Sequence, residues 1–93
     1  MGLSIKKVEQ SFQLFLDNEF IGEVTFTSET NEFLIIDHTY VDDRFNGKGY
    51  ARMLVDEVVK YAKEKGIKII PLCPYAKRLF QKHPETYQTM EYK

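Results

Sequence analysis

Ninety-three residues make a single domain, 1–93, because a chain this short buries only roughly 60 to 65% of the surface its unfolded form exposes and cannot fill two cores. With 43% hydrophobic and 14% aromatic residues there is material for one core, which excludes intrinsic disorder. The net charge of −1 hides an imbalance: residues 1–41 carry two lysines against seven carboxylates, and residues 42–93 eleven cations against seven carboxylates, so an anionic ligand is drawn to the second half.

Met1-Gly2-Leu3-Ser4-Ile5-Lys6 has no apolar run followed by a cleavage site, and Lys6 stands where a myristoylation signal needs Ser or Thr. The uncharged stretch from Ile69 up to Lys77 is interrupted by Pro71 and Pro74 and falls short of the ~18 apolar residues of a membrane span. One cysteine, Cys73, cannot form an intramolecular disulfide. A soluble, cytoplasmic protein is expected, with no membrane partner.

Phe12, Leu14 and Leu16 alternate with polar residues, Asp17-Asn18-Glu19 offers a tight turn, and Val24 and Phe26 continue the alternation between Phe20 and Phe26. That pattern predicts an antiparallel hairpin. After a turn at Ser28 to Asn31, the run Phe33 to Val41 is apolar on both alternating sets: Phe33, Ile35 and Val41 on one, Leu34, Ile36 and Tyr40 on the other. It is expected to be a central strand covered on both faces. From Gly49 to Lys65 the period turns helical, with Ala51, Leu54, Val55, Val58 and Ala62 as the apolar stripe, Arg52, Asp56, Lys60 and Lys63 opposite, and Gly66 as terminator. Ile67 to Cys73 reads as a strand parallel to 33–41 that splays at Pro71, and Tyr75 to about Lys82 as a short helix stopped by Pro84. The order β-β-β-β-α-β-α predicts an α/β (α+β) fold, a mixed, mostly antiparallel sheet around a central βαβ unit.

The junction Asp42-Asp43-Arg44-Phe45-Asn46-Gly47-Lys48-Gly49-Tyr50-Ala51 carries the chemistry. Gly47 and Gly49 allow positive φ and close approach of a ligand, and the helix behind them offers free N–H groups, with Arg44 and Lys48 beside them. This is an anion site suited to a pyrophosphate. A P-loop would need Ser or Thr after Lys48, and a dinucleotide fingerprint a third glycine near Arg52; neither is present. With two separated histidines and one cysteine there is no metal-ligand spacing.

Arg44-x-x-Gly47-x-Gly49 entering a helix after a strand resembles the acyl-coenzyme A pyrophosphate loop of the GNAT superfamily of N-acetyltransferases. From Phe33 to about Met90, including His38-Thr39 and Ile70-Pro71-Leu72-Cys73-Pro74-Tyr75, the chain is similar to small single-domain members of that superfamily, without the N-terminal helices that wall the acceptor site in larger ones. The resemblance implies the GNAT-like acyl-CoA N-acyltransferase fold. It also implies acetyl-CoA, or coenzyme A, held by Thr39, Tyr40, Val41, Arg44, Phe45, Asn46, Gly47, Lys48, Gly49, Tyr50, Ala51, Pro74 and Tyr75, its thioester near Cys73 and His38.

Two routes follow. An acceptor amine attacks the thioester directly, with His38 as base and Cys73 or Tyr75 as acid, or Cys73 takes the acetyl group first as a thiolate aided by His38. An N-acetyltransferase acting on an unidentified primary amine is the leading reading, a non-catalytic CoA-binding or acyl-sensing module the alternative. A lone cysteine at a strand end is otherwise a small buried hydrophobe, and His38 a satisfied core histidine. Near-neutral charge and the absence of a basic, aromatic sheet face disfavour nucleic acid as a partner. A monomer or weak homodimer is expected.

Overall fold

The computed structural model describes residues 2–28 and 30–92, so Glu29 of the expected 28–31 turn and the two terminal residues lie outside the described residues. The elements follow as β1 Leu3–Lys7, β2 Ser11–Leu16, β3 Glu19–Thr27, β4 Phe33–Val41, a 3₁₀ turn Asp43–Phe45, α1 Tyr50–Lys65, β5 Lys68–Pro71, α2 Pro74–Lys82, α3 Pro84–Tyr87 and a 3₁₀ turn Gln88–Met90. Spatial order equals chain order from β1 to β5, antiparallel throughout except for the β4–β5 pair, which α1 connects as a βαβ unit. This is the mixed, mostly antiparallel α/β architecture expected from the sequence. No helix is long and apolar enough to cross a membrane.

The hairpin between β2 and β3 turns on Asp17 and Asn18, whose φ values of 49° and 72° are those of the turns that match strand twist. On the inner sheet face Phe12, Leu14, Val24, Phe26, Leu34, Ile36 and Ile69 meet Leu54, Val55, Val58 and Ala62 of α1, with Ala76, Leu79 and Phe80 of α2 and Tyr87 of α3 completing one core. Each large aliphatic or aromatic side chain so buried contributes about 1.5–3 kcal/mol. Gly66, at φ 72°, ends α1 with its N–H turned back to the carbonyls of Ala62 and Lys63. Pro84 does stop α2, and it also begins α3, because a proline costs nothing at a first helical position whose N–H has no partner.

β4 departs from its expected pattern. Thr25 pairs with His38 but Phe26 pairs with Ile36, leaving Asp37 as an extra residue whose carboxylate accepts from Thr27 Oγ1 at 2.9 Å. Such a bulge reverses the alternation beyond it. Thr39 and Val41 thereby join Leu34 and Ile36 on the inner face, while Tyr40, expected to share a side with Ile36, points outward and is exposed, as is His38. The strand is central, as read, but covered on one face only, because the helices and their buried residues lie on the inner side.

Candidate functional site

β5 stays beside β4 for only four residues, from Phe33↔Lys68 to Ile36↔Pro71. Pro71 has no N–H to offer, the Cys73 N–H makes a last bond to the Ile36 carbonyl at 2.9 Å, and from Asp37 onward β4 is paired with β3 alone. The strands therefore part, and a groove of about 380 Å³ opens beside the unpaired edge of β4. Thr39 and Val41 line it from the strand, Phe45, Asn46, Gly47 and Gly49 from the loop, and Tyr50, Ala51 and Tyr75 from the two helices.

Gly47 and Gly49 both sit at φ 80°, a conformation glycine adopts freely and other residues do not. Gly49 is the N-cap of α1, no side chain caps it, and the first turn carries no acid. The first bond of the helix runs from the Met53 N–H to the Gly49 carbonyl at 3.1 Å, and among the described residues the N–H groups of Gly47 through Arg52 have no acceptor. Six consecutive unpaired donors, the partial positive charge of a helix start and Lys48 make a cradle for an anion.

Arg44 behaves differently from its expected role. Its guanidinium is held by Glu19 and by Asp42 Oδ2 at 3.1 Å, and its own N–H donates to Asp42 Oδ1 at 2.9 Å. The hydrogen bonds that Arg44 donates to Asp42 and Glu19 raise its own pKa, and those that Asp42 accepts from Arg44 lower the Asp42 pKa. Arg44 thus braces the loop against β3. Tyr40, Lys48 and Pro74 do not line the groove: Tyr40 faces outward, Lys48 is exposed on the loop, and Pro74 is the exposed first residue of α2.

Cys73 is 4% exposed at the start of α2, and its Sγ–H donates to Thr39 Oγ1 at 3.5 Å across the parted strands. His38, its expected companion, is on the outer face, opposite Thr25 and Tyr40's neighbour, with no hydrogen bond to Cys73. The bulge at Asp37 is the physical reason. Tyr75 lines the groove itself, and burial raises its hydroxyl pKa above that of an ordinary tyrosine.

A second groove of about 370 Å³ continues from the first between α1 and α2, the two sharing Gly49 and Tyr75. Arg52, Arg78, Lys82 and His83 line it over an apolar floor of Leu79. Arg52 is fixed there by Tyr87, whose hydroxyl accepts from Arg52 Nε at 3.1 Å and donates to Asp56 Oδ1 at 2.6 Å. Sequence pattern alone puts Arg52 on the polar face of α1 and assigns no role to Arg78 and Lys82. Their i,i+4 spacing on α2 was the available signal.

A family model described as GCN5-related N-acetyl-transferase matches residues 11–90. The chain is similar to a GCN5-like protein from Staphylococcus aureus, solved in solution, with 34% identity over 97% of this chain and 88% of that one and a TM-score of 0.78. It shares its fold with a GNAT family acetyltransferase from Elizabethkingia anophelis solved with acetyl-CoA bound (22% identity, TM-score 0.66, 78% of this chain and 51% of that one). The same holds for a ribosomal-protein-alanine N-acetyltransferase from Brucella melitensis (24% identity, TM-score 0.66, 77% of this chain and 57% of that one). The chain thus spans little more than half the length of these larger proteins. Nothing among curated proteins matches it. Loop, parted strands and family model agree, and the chain belongs to the GCN5-related N-acetyltransferase family.

Proposed function

We propose that this protein transfers the acetyl group of acetyl-CoA to an amine by direct attack. The observation that carries the reading is the run of unpaired N–H groups from Gly47 to Arg52 at the mouth of a groove that leads along β4 to Thr39, behind which the buried Cys73 thiol lies. Its donors, its lack of first-turn acids and the cations of the adjoining groove fit the pyrophosphate and phosphate of CoA, and a protein of the same fold holds acetyl-CoA. When bound, that cofactor supplies an activated acyl carbon and a thiolate leaving group. Residues 47–52 would hold the pyrophosphate, Arg52, Arg78 and Lys82 the outer phosphate, and the open edge of β4 the pantetheine arm. Tyr75, whose side chain lines the groove, is the group suited to give its Oη proton to the leaving sulfur. Cys73 has no imidazole among its hydrogen-bond partners and is engaged as a donor to Thr39, which favours direct transfer over an acetyl-Cys73 intermediate.

The test is a calorimetric titration with CoA followed by thiol release from acetyl-CoA in the presence of an amine panel. Gly49→Val, forced into a positive φ, should weaken CoA at least about tenfold. Tyr75→Phe should lower kcat about a hundredfold with CoA affinity retained, and Cys73→Ala should stay within about threefold of the parent. A stable gain of one acetyl mass that disappears in Cys73→Ala would overturn direct transfer. Tight CoA binding without turnover on any amine would leave a CoA-sensing module in its place.

A further inference from the structure

The anion cradle has little to hold its shape. A Cβ added at Gly47 or at Gly49 would meet nothing within 4 Å, and the N–H groups from Gly47 to Arg52 are unpaired. Two backbone bonds fix the entry to the loop: the Asp42 N–H donates to the Ile21 carbonyl at 2.8 Å and the Phe45 N–H to the Asp42 carbonyl at 2.9 Å. Among the described residues, one side-chain bond ties the stretch 43–49 to another element, that of Arg44 Nη2 to Glu19 Oε2. Glu19 stands on firm backbone. It is the first residue of β3 and is paired with Leu16 across the hairpin. The hairpin tip before it is tied to the start of β1, the Asp17 N–H donating to the Gly2 carbonyl at 2.9 Å and the Gly2 N–H to Asp17 Oδ1 at 2.8 Å. On the other side of the bond, the Arg44 guanidinium lies 5.1 Å from the centre of the Phe45 ring, and that ring lines the groove 6.1 Å from the ring of Tyr50, the first residue of α1. The hairpin is thereby linked through Arg44 and Phe45 to both ends of the glycine cradle.

Resting on the function proposed above, we infer that Glu19 is a positioning residue for the cofactor: it holds Arg44, and through Arg44 the loop, in the shape that presents the N–H groups of 47–52 to a pyrophosphate. By charge alone a carboxylate beside an anion site opposes the anion. Glu19 and Asp42 share one guanidinium that does not line the groove, so the cluster adds no positive charge to the cradle and its contribution is geometric. A loop already ordered loses less freedom when the ligand arrives, and donors fixed in place need no rearrangement to meet it. The Arg44 and Glu19 side chains are 59% and 54% exposed. An ion pair so open adds little to fold stability, and its effect is a several-fold change in cofactor affinity.

The experiment titrates CoA by calorimetry into the parent, Glu19→Ala, Glu19→Gln, Arg44→Ala and the Glu19→Ala/Arg44→Ala pair, with acetyl transfer and thermal unfolding measured on each. Glu19→Ala should raise the CoA Kd and the acetyl-CoA KM about three- to fivefold, with kcat and the unfolding temperature unchanged. Glu19→Gln keeps an acceptor at the same reach and should stay within about twofold of the parent. In the Arg44→Ala background, Glu19→Ala should weaken CoA no further. Any direct repulsion between Glu19 and the phosphates persists in that background while the brace does not, so the non-additivity isolates the brace. Failure of CoA to bind the parent removes the underlying reading and this one with it. With CoA bound by the parent, an unchanged or tighter Kd in Glu19→Ala overturns this inference alone, as does an equal loss in the Arg44→Ala background or a fall in kcat at unchanged KM. A weaker Kd that Glu19→Gln shares in full, with a lowered unfolding temperature in both, would assign Glu19 to the fold and overturn it too.

Discussion

The two halves of β4 were built for different ends. Phe33 to Ile36 is paired with β5 along its length and with β3 at Ile35 and Ile36, and it sends Leu34 and Ile36, both fully buried, into the core. Asp37 to Val41 is bonded to β3 only, carries exposed residues, and turns Thr39 and Val41 toward the groove. A single extra residue, Asp37, divides them. The first half shows an apolar strand held by its neighbours over the core; the second shows the same strand keeping an unpaired edge next to water, which is tolerable where a ligand can take it up.

Truncation separates the halves most sharply. Ile36→Ala removes a fully buried side chain facing α1 and should cost about 2–5 kcal/mol of unfolding free energy, read from urea denaturation. The fraction that remains folded should bind CoA as the parent does. Thr39→Ala, in contrast, should cost under about 1 kcal/mol, since it gives up only a 3.5 Å contact with the Cys73 thiol, yet lower acetyl transfer several-fold. If both variants lost stability equally, the second half of β4 would be core and not site.

The difference between the halves also marks how far the residues could be read. The hairpin turn, α1 with its stripe and terminal Gly66, the parallel β4–β5 pair and the positive-φ glycines before α1 are legible, since each rests on local chemistry: positive φ at turns, and period. The 380 Å³ groove draws on nine of the residues expected to hold the cofactor. What was misread follows from the bulge. Asp37 within an apolar run was its only trace, and a shift of one residue sends His38 and Tyr40 to the opposite face. Arg44 was read as a free cation because the carboxylate of Glu19, 25 positions away in sequence, meets it only through the fold. The cations of the second groove needed the docking of α2 against α1. β1, a short edge strand with Ile5 as its one half-buried residue, is counted in the expected order, but it has no alternation strong enough to set its bounds.

A glycine sharpens the comparison from the β3 side. Gly22 is buried opposite Val41, and a Cβ there would lie 2.7 Å from the Tyr40 carbonyl oxygen and 3.4 Å from the Val41 Cα. Backbone cannot yield as a side-chain tip does, so β3 and the open half of β4 would have to separate. Gly22→Ala should therefore cost about 1–3 kcal/mol and weaken CoA several-fold, acting on the groove from behind through the Val41 backbone. Amide exchange would report the displacement, with protection lost from 39–41 and retained at 34–36. Equal loss along the whole strand would mean that the halves move as one.

The mildest effect concerns the helical wall of the second groove. Tyr87 is 1% exposed, stacks on Phe80 at 4.7 Å and ties α3 to α1 by donating to Asp56 while accepting from Arg52. Burial first, and then the bond to Asp56, push its hydroxyl pKa from 10.0 up to about 12. A group whose folded pKa lies above its unfolded value stabilises the fold fully below the unfolded value, near pH 10, and loses that contribution as pH rises through the folded one. The stability gap between the parent and Tyr87→Phe should thus be constant, on the order of 1–2 kcal/mol, from pH 7 to 9 and shrink between about pH 10 and 12. Thermal unfolding of both proteins across that range reads it directly. Since the same hydroxyl aims Arg52 at the groove, Tyr87→Phe should also weaken CoA about two- to threefold at pH 7, an effect absent if Arg52 faces solvent regardless of its anchor.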